Sequence, residues 1–268
     1  MALFLQHNSL SITTLVTLFS ILLNLNHSCC FNPKLFNVSK LQSDWSPAGA
    51  TWYGPADGAG TDGGACGYLD TVENPPFSKL VSAGGPSLFK SGKGCGTCYQ
   101  VKCTGNSACS GNQATVIITD ECPGCTSESV HFDMSGTAFG AMAISGHEGQ
   151  LRNAGVLQIQ YKSYPGVTIT FRVDSGSDPY YFGTLIEFED GAGDLMEVHL
   201  KQNDDSDSWL SMQESWGAVW KLNSGSTLQA PLSIRLTASN GQSVVANNVI
   251  PTGWQPGQTY RSVVNFEV

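Results

Sequence analysis

A mainly β chain in two domains is predicted, a closed glycine-rich β-barrel followed by a β-sandwich of immunoglobulin-like size. Three observations predict it. Short alternating, β-branched runs bounded by Gly, Pro, Asn, Asp and Ser recur along the 268 residues, the pattern of strands and turns. All nine cysteines precede residue 126 and none follows, which separates a half stapled by bridges from a half held by its core alone. After Ser163 seven such runs fall within about a hundred residues, the density of a sandwich.

Taken in order, residues 10–25 ("LSITTLVTLFSILLNL") form an apolar run interrupted by Ser, Thr and Asn. It resembles a secretory signal, although no Lys or Arg precedes it, and it is short and polar-spotted for a membrane anchor. Cleavage is expected between Asn26 and Cys30, giving a signal peptide over 1–28 and an N-terminal arm over 29–49. That arm carries Asn37-Val38-Ser39, a glycosylation acceptor in an exported chain. No later segment reads as a span.

The barrel, placed at 50–163, draws strands from "CYQVKC" (98–103), "QATVIIT" (113–119), "SVHFDM" (129–134) and "GVLQIQYK" (155–162), with one short helix over 135–144 capped by Ser135. The sandwich, placed at 165–268, takes "VTITFRV" (167–173), "GTLIEFE" (183–189), "LMEVHLKQ" (195–202), "GAVWKL" (217–222), "LSIRLTAS" (232–239), "SVVANNVI" (243–250) and "RSVVNFEV" (261–268). The connection at 163–166 is short, so the two domains are expected to pack rather than swing.

Charged residues make up only 13% of the chain and the formal net charge is −9. That argues against nucleic acid and anionic membrane surfaces, whose binding relies on Lys and Arg. A surface of Ser, Thr, Asn, Gln and Gly offers neutral hydrogen bonds, which leaves neutral polymers as partners of a monomeric chain.

Gly58, Gly60 and Gly63 spell a G-x-G-x-x-G, yet no strand–helix frame surrounds them, so a dinucleotide cradle is set aside. Cys95-Gly-Thr-Cys98 and Cys122-Pro-Gly-Cys125 could be spelled as a zinc ribbon. The extra Cys66, Cys103 and Cys109 would have no role in a four-ligand site, and an oxidising compartment favours bridges. No metal and no cofactor are expected. No helix start follows either pair, which disfavours a thioredoxin-like role. If Cys29 and Cys30 leave with the signal, seven cysteines remain and one must be unpaired or bridge between chains.

His131-Phe132-Asp133 ends a predicted strand just before the small-residue helix, where a carboxylate can point into a groove and, beside an aromatic, serve as a general acid. A plain cap of the next turn is the competing reading of Asp133. Trp216, Ala218 and Trp220 alternate, so both indoles would face one side of a single strand, a pattern common in cores.

Together, "TWYG", "GGACGY", "GCGTCYQVKC", "HFDMSGTAFGAMA", "SWGAVWKL" and "PLSIRLTASNG" resemble a plant expansin of the β-expansin branch, the branch that includes group-1 grass pollen allergens. The match runs from about Ala48 to the C-terminus. The resemblance implies a six-stranded double-psi β-barrel related to family-45 endoglucanases, followed by a polysaccharide-binding sandwich. It implies a secreted, extracellular protein that loosens contacts among cellulose and matrix glycans without hydrolysis. Thr51, Trp52, Tyr53, Asp62 and His131 are carried over as groove residues, with the glycines letting backbone approach a flat sugar chain, and Tyr181 and Trp216 as the flat aromatic surface. Trp220, Trp209 and Trp254 are assigned to the core.

Asp133 matches the family-45 general acid, a vestigial one here. An inverting hydrolase needs a second carboxylate about 6.5–9.5 Å away, and in those endoglucanases the base lies near the segment that is Thr51-Trp52-Tyr53 here. Two departures stand out: the segment before "YPG" is shortened and lacks the branch's usual cysteine, and "CPGC" is tighter than usual. The pairing expected from the resemblance is Cys66–Cys95, Cys98–Cys125 and Cys103–Cys109, leaving Cys122 out. Two rivals remain: a weakly active β-1,4-glycan hydrolase with Asp57, Asp62 or Asp120 as base, and a carbohydrate-binding or defence module with a vestigial groove.

Overall fold

The computed structural model describes residues 45–61, 63–164, 168–189, 194–203 and 207–267. The signal segment, Asn37, Cys29, Cys30 and Asp62 lie outside the described residues.

Six strands close a barrel: β1 (Ser46–Tyr53), β2 (Val81–Gly84), β3 (Cys98–Lys102), β4 (Ala114–Glu121), β5 (His131–Ser135) and β6 (Leu157–Ser163), in the spatial order β1-β5-β2-β4-β3-β6. The β1/β5 and β2/β4 pairs are parallel and the others antiparallel. Alternation explains the interior: Ala50, Val116, Ile118, Phe132 and Met134 are fully buried, and Ile159 nearly so. Ser135 caps the helix Gly136–Gly140 through an N–H bond from Ala138 at 3.0 Å, as its position predicts.

The second half is a sandwich of two sheets. One, ordered β10-β9-β13-β14, is built from β9 (Leu195–Lys201), β10 (Leu210–Ser211), β13 (Leu232–Ala238) and β14 (Ser243–Ile250). The other, ordered β11-β12-β8-β7-β15, takes β7 (Thr170–Val173), β8 (Tyr181–Glu187), β11 (Gln213–Trp216), β12 (Val219–Asn223) and β15 (Thr259–Arg261). Phe171, Phe182, Ile186 and Trp220 from the second sheet meet Val198, Leu200, Ile234 and Leu236 from the first.

A third apolar cluster crosses the seam between barrel and sandwich. Tyr68, Val72, Phe77, Val81, Ile117 and their neighbours pack on Leu185, Phe188, Ala218 and Val219. Hydrogen bonds stitch the seam as well: Ala218 N–H to Cys66 O at 3.0 Å, Phe188 N–H to Gly96 O at 3.0 Å, and Tyr68 O–H to Ile186 O at 2.7 Å.

Four expectations are corrected. The arm-to-barrel boundary at 49/50 falls inside β1, because Ser46–Ala50 pairs with β6 and Ala48 is buried. Cys125 bridges Cys122 rather than Cys98; the other bridges are Cys66–Cys95 and Cys103–Cys109. The register sets the alternative apart: Cys98 stands opposite Ile117 on β4, Cys122 lies five residues further on, about 16 Å along an extended strand, and the Cα of Cys125 is only 5.4 Å from that of Cys122, so Cys125 stays beyond the Cα separation of about 7 Å that a bridge allows.

Trp216 and Trp220 do not share a strand, since the chain reverses at Gly217, whose φ is +53°. A side chain at Gly217 would run into Cys66 of the barrel. The last predicted strand shrinks to Thr259–Arg261; Ser262 then turns the chain through bonds with Val264, and Phe266 enters the core.

Candidate functional site

The parallel register of β1 and β5 sets Thr51 beside Asp133 and Gly49 beside His131, and paired positions point the same way. The Thr51 hydroxyl donates to Asp133 Oδ1 at 2.6 Å and lies 3.0 Å from His131 Nε2. A hydroxyl has one proton. With that proton given to the Asp133 carboxylate, Thr51 accepts from His131 Nε2–H, so the imidazole carries its proton on Nε2.

The other ring nitrogen, Nδ1, is buried without a hydrogen-bond partner. Burial pulls the imidazole below its ordinary value, against the opposing charges of Asp133 and Glu128. Gly49 makes this arrangement possible: a Cβ there would stand 2.7 Å from His131 Nδ1 and 2.6 Å from Glu128 Cγ. His131 is only 3% exposed. It therefore meets the Asp133 row through Thr51, and its burial leaves no surface for the direct contact with glycan expected of it.

The row continues across the barrel. Ala83 on β2 pairs with Asp133 on one side and Asp120 on the other, so the two carboxylates are two strand spacings apart, about 10 Å between Cα atoms. Asp120 Oδ1 accepts from Ala65 N–H at 2.7 Å and Glu121 N–H at 2.8 Å, and Thr61 Oγ1 lies 3.4 Å from Oδ2. Asp120 thus anchors the glycine-rich loop. Asp57 stands apart, lining a separate depression with Thr137, Glu148 and Arg152. The disulfide sulfurs of Cys122 and Cys125 lie within 4.8 Å of the Asp133 carboxylate.

The loop's glycines serve the protein's own packing. A side chain at Gly60, whose φ is +93°, would collide with the Tyr53 ring. Of Gly58, Gly60 and Gly63, only Gly63 has nothing within 4 Å of a notional Cβ. Tyr53 is held neutral, its hydroxyl pushed well up by burial and then by Asp120 and Asp133. Strand pleating separates the expected trio: Thr51 and Tyr53 face the row, while Trp52 turns the other way, packs on the barrel core and donates its indole N–H to Arg152 O at 3.0 Å.

On the sandwich, the register Trp216↔Val219↔Leu185 and Asn223↔Tyr181 places Trp216 and Tyr181 on the outer face of one sheet, with Trp220 on the inner. Trp216 is 50% exposed, and its ring lies across Gly67 of the barrel, where a Cβ would approach it to 2.9 Å. Tyr181 is half-buried, and burial, then Asp174, raises its hydroxyl. The aromatic face therefore begins at the foot of the glycine-rich loop. Trp254 is half-buried at the core edge against Phe182, and Trp209 lies under Arg235.

Sequence reading missed the acids in the seam. Glu187 and Glu189 are each 1% exposed. Burial raises Glu187 to about 7, against the lowering effect of its bond from Thr170 and of Arg172 and Arg261; burial raises Glu189 well above its ordinary value. Only the "EFE" spacing on a buried strand hints at them.

Comparisons with known proteins agree with this architecture. Residues 169–251 match the family profile described as Expansin C-terminal domain, and residues 81–161 match the one described as Lytic transglycolase. Expansin-B2 of Arabidopsis thaliana is 62% identical over 94% of this chain and 94% of its own length. Expansin-B11 of Oryza sativa subsp. japonica is 56% identical, covering 83% of this chain and 78% of its own. Among solved structures, an apo expansin of Clavibacter michiganensis superposes with a TM-score of 0.56 at 24% identity, over 84% of this chain and 100% of its own. A mutant of that protein, solved in complex with cellohexaose, superposes equally well. With a closed six-stranded barrel, a sandwich after it and 62% identity to a β-expansin over 94% of its length, the chain belongs to the expansin family, in its plant β-expansin branch.

Proposed function

We propose that this protein is a secreted, wall-loosening glycan binder that separates cellulose and matrix-glycan chains without cutting them. The observation that carries the reading is the partner of Asp133. The residue in register with the acid is Thr51, whose hydroxyl is bonded to it. Asp120, two strands away, already holds backbone N–H groups of the loop and its own strand. An inverting hydrolysis needs a base placed to activate water on the far side of the sugar; in this groove the position in register with the acid is a threonine, and the nearest carboxylate across the row, Asp120, is tied to the loop through Oδ1.

The groove, the loop and the Trp216–Tyr181 face supply a polar, partly aromatic track, the chemistry that suits uncharged sugar chains. Cellohexaose bound to the Clavibacter fold neighbour is in keeping with it. Export rests on the apolar run at 10–25; no described helix is long and apolar enough to cross a membrane.

The test holds heat-inactivated wall strips at constant load, adds the purified mature protein, and follows extension while assaying the bath for new reducing ends. Extension without new ends is expected. Accumulating reducing ends that disappear in Asp133→Asn would replace the reading with a hydrolase.

A further inference from the structure

The pole of the sandwich remote from the barrel carries a cleft that neither the groove nor the aromatic face includes. Strand β8 runs from Tyr181 at this pole to Glu187 at the seam, seven residues or about 20 Å. Three connections close around the cleft: the β7–β8 turn, the β12–β13 loop and the β14–β15 loop. They enclose about 540 Å³, within the range of small-ligand sites.

The walls have a definite chemistry. Trp254 forms one side, its ring braced edge-on against Phe182 with centroids 5.6 Å apart. Pro179 and Pro256 add stiff apolar surface, and Thr227, Gln229 and Gln255 supply hydroxyl and amide groups at the rim. The amide groups are held in place, Gln229 Nε2–H bonding Thr227 O at 3.2 Å and Gln255 Nε2–H bonding Gly253 O at 3.1 Å, bonds that use an N–H of each amide and leave its carbonyl oxygen to accept. The Asp178 carboxylate braces the wall through the N–H groups of Tyr180 and Tyr181, at 2.7 and 2.8 Å. No Lys or Arg lines the cleft.

A rigid indole, prolines and amide groups, with one acid and no cation, recognise a neutral polyhydroxyl ligand and repel an anionic one. We propose that this polar cleft binds a single neutral sugar unit, a chain end or side branch of a wall glycan, at a site separate from the groove and from Trp216. The exposed Tyr180, next in the chain to the cleft wall, connects it with the Tyr181 face. The inference deepens the glycan-binding reading and is tested independently of it.

Xylotetraose, cellotetraose and, as an anionic control, digalacturonate would be titrated into the 15N-labelled mature protein. The indole N–H signals of Trp254 and Trp216 would be followed separately, assigned through Trp254→Phe and Trp216→Phe. A saturable shift of the Trp254 signal with a neutral oligosaccharide is expected, retained in Trp216→Ala, abolished in Thr227→Trp, which plugs the mouth, and weakened about fivefold in Gln229→Ala/Gln255→Ala. A Trp254 signal that stays still in the wild type, that shifts equally in the plugged variant, or that responds more to the uronate overturns the cleft. Because Trp216 is read in the same titration, its response bears on the wider glycan-binding reading whichever way Trp254 behaves.

Discussion

Replacing Glu187 by Gln should stabilise the protein at neutral pH and flatten its dependence on pH. Glu187 is 1% exposed, accepts from Thr170 Oγ1 at 2.7 Å, and has its carboxyl raised by burial from 4.5 to about 7. A group whose folded value is raised keeps its proton in the native state after the unfolded chain has released it, so stability falls as pH rises between the two values. The gap from 4.5 to about 7, at about 1.4 kcal/mol per pH unit, is about 3 kcal/mol. That contribution is fully present below pH 4.5 and gone above about pH 7. Gln keeps the acceptor for Thr170 and cannot ionise.

The assay is urea unfolding of wild type and Glu187→Gln at pH 4.5, 6 and 7.5. The two should coincide at the lowest pH and separate by about 1 M in midpoint at the highest, given slopes of about 2–3 kcal/mol/M for a protein of this size. Glu189, also raised by burial, leaves a residual slope in the single variant. Parallel curves for the two proteins across the range would show that Glu187 does not titrate between 4.5 and 7 in the native state and would refute the reasoning.

Two further outcomes follow from the site. Thr51→Val removes the acceptor for the buried His131 Nε2–H and should cost about 1–3 kcal/mol in chemical denaturation, while Thr51→Ser stays near wild type; an equally stable valine variant would break the inferred hydrogen-bond chain. Trp216→Ala should lower retention on insoluble wall polysaccharide while shifting Tm by only a few degrees, because half of the side chain already faces water; unfolding at room temperature would make the indole a core element.

The elements read most clearly from sequence were those whose periodicity is their own. β4, β5, β13 and β14 alternate or carry β-branched runs, and Ser135 announces its helix. β2 was illegible because "VSAG" is small and ends in glycine; only its neighbours β4 and β5 make it a strand. The "SPAG" start of β1 is concealed for the same reason. Asp133 could be found from its place beside an aromatic just ahead of the small-residue helix, although β5 runs on to Ser135 and leaves it in mid-strand rather than at the expected strand end; the partners that define it could not be found, since Thr51 and His131 meet through a register that joins residues 80 and more apart.

The loop glycines were legible as necessary and illegible as to cause: at Gly60 it is the Tyr53 ring, not an approaching sugar, that excludes a side chain. The Cys98–Cys125 pairing failed because spacing along the chain carries no information about the strand length that separates two thiols in space.

The apolar cluster that crosses the seam bears on how this molecule could do mechanical work. Leu185, Phe188, Ala218 and Val219 are sealed against the barrel, so a chain cut between the halves would expose a greasy scar on each, and neither half should be expected to behave as an independent module. The same seal leaves little give between the groove and the aromatic face. A polymer strand gripped on one would feel displacement of the other as if both were parts of a single jaw, and thermal motion of the wall would be resisted by the whole body of the protein.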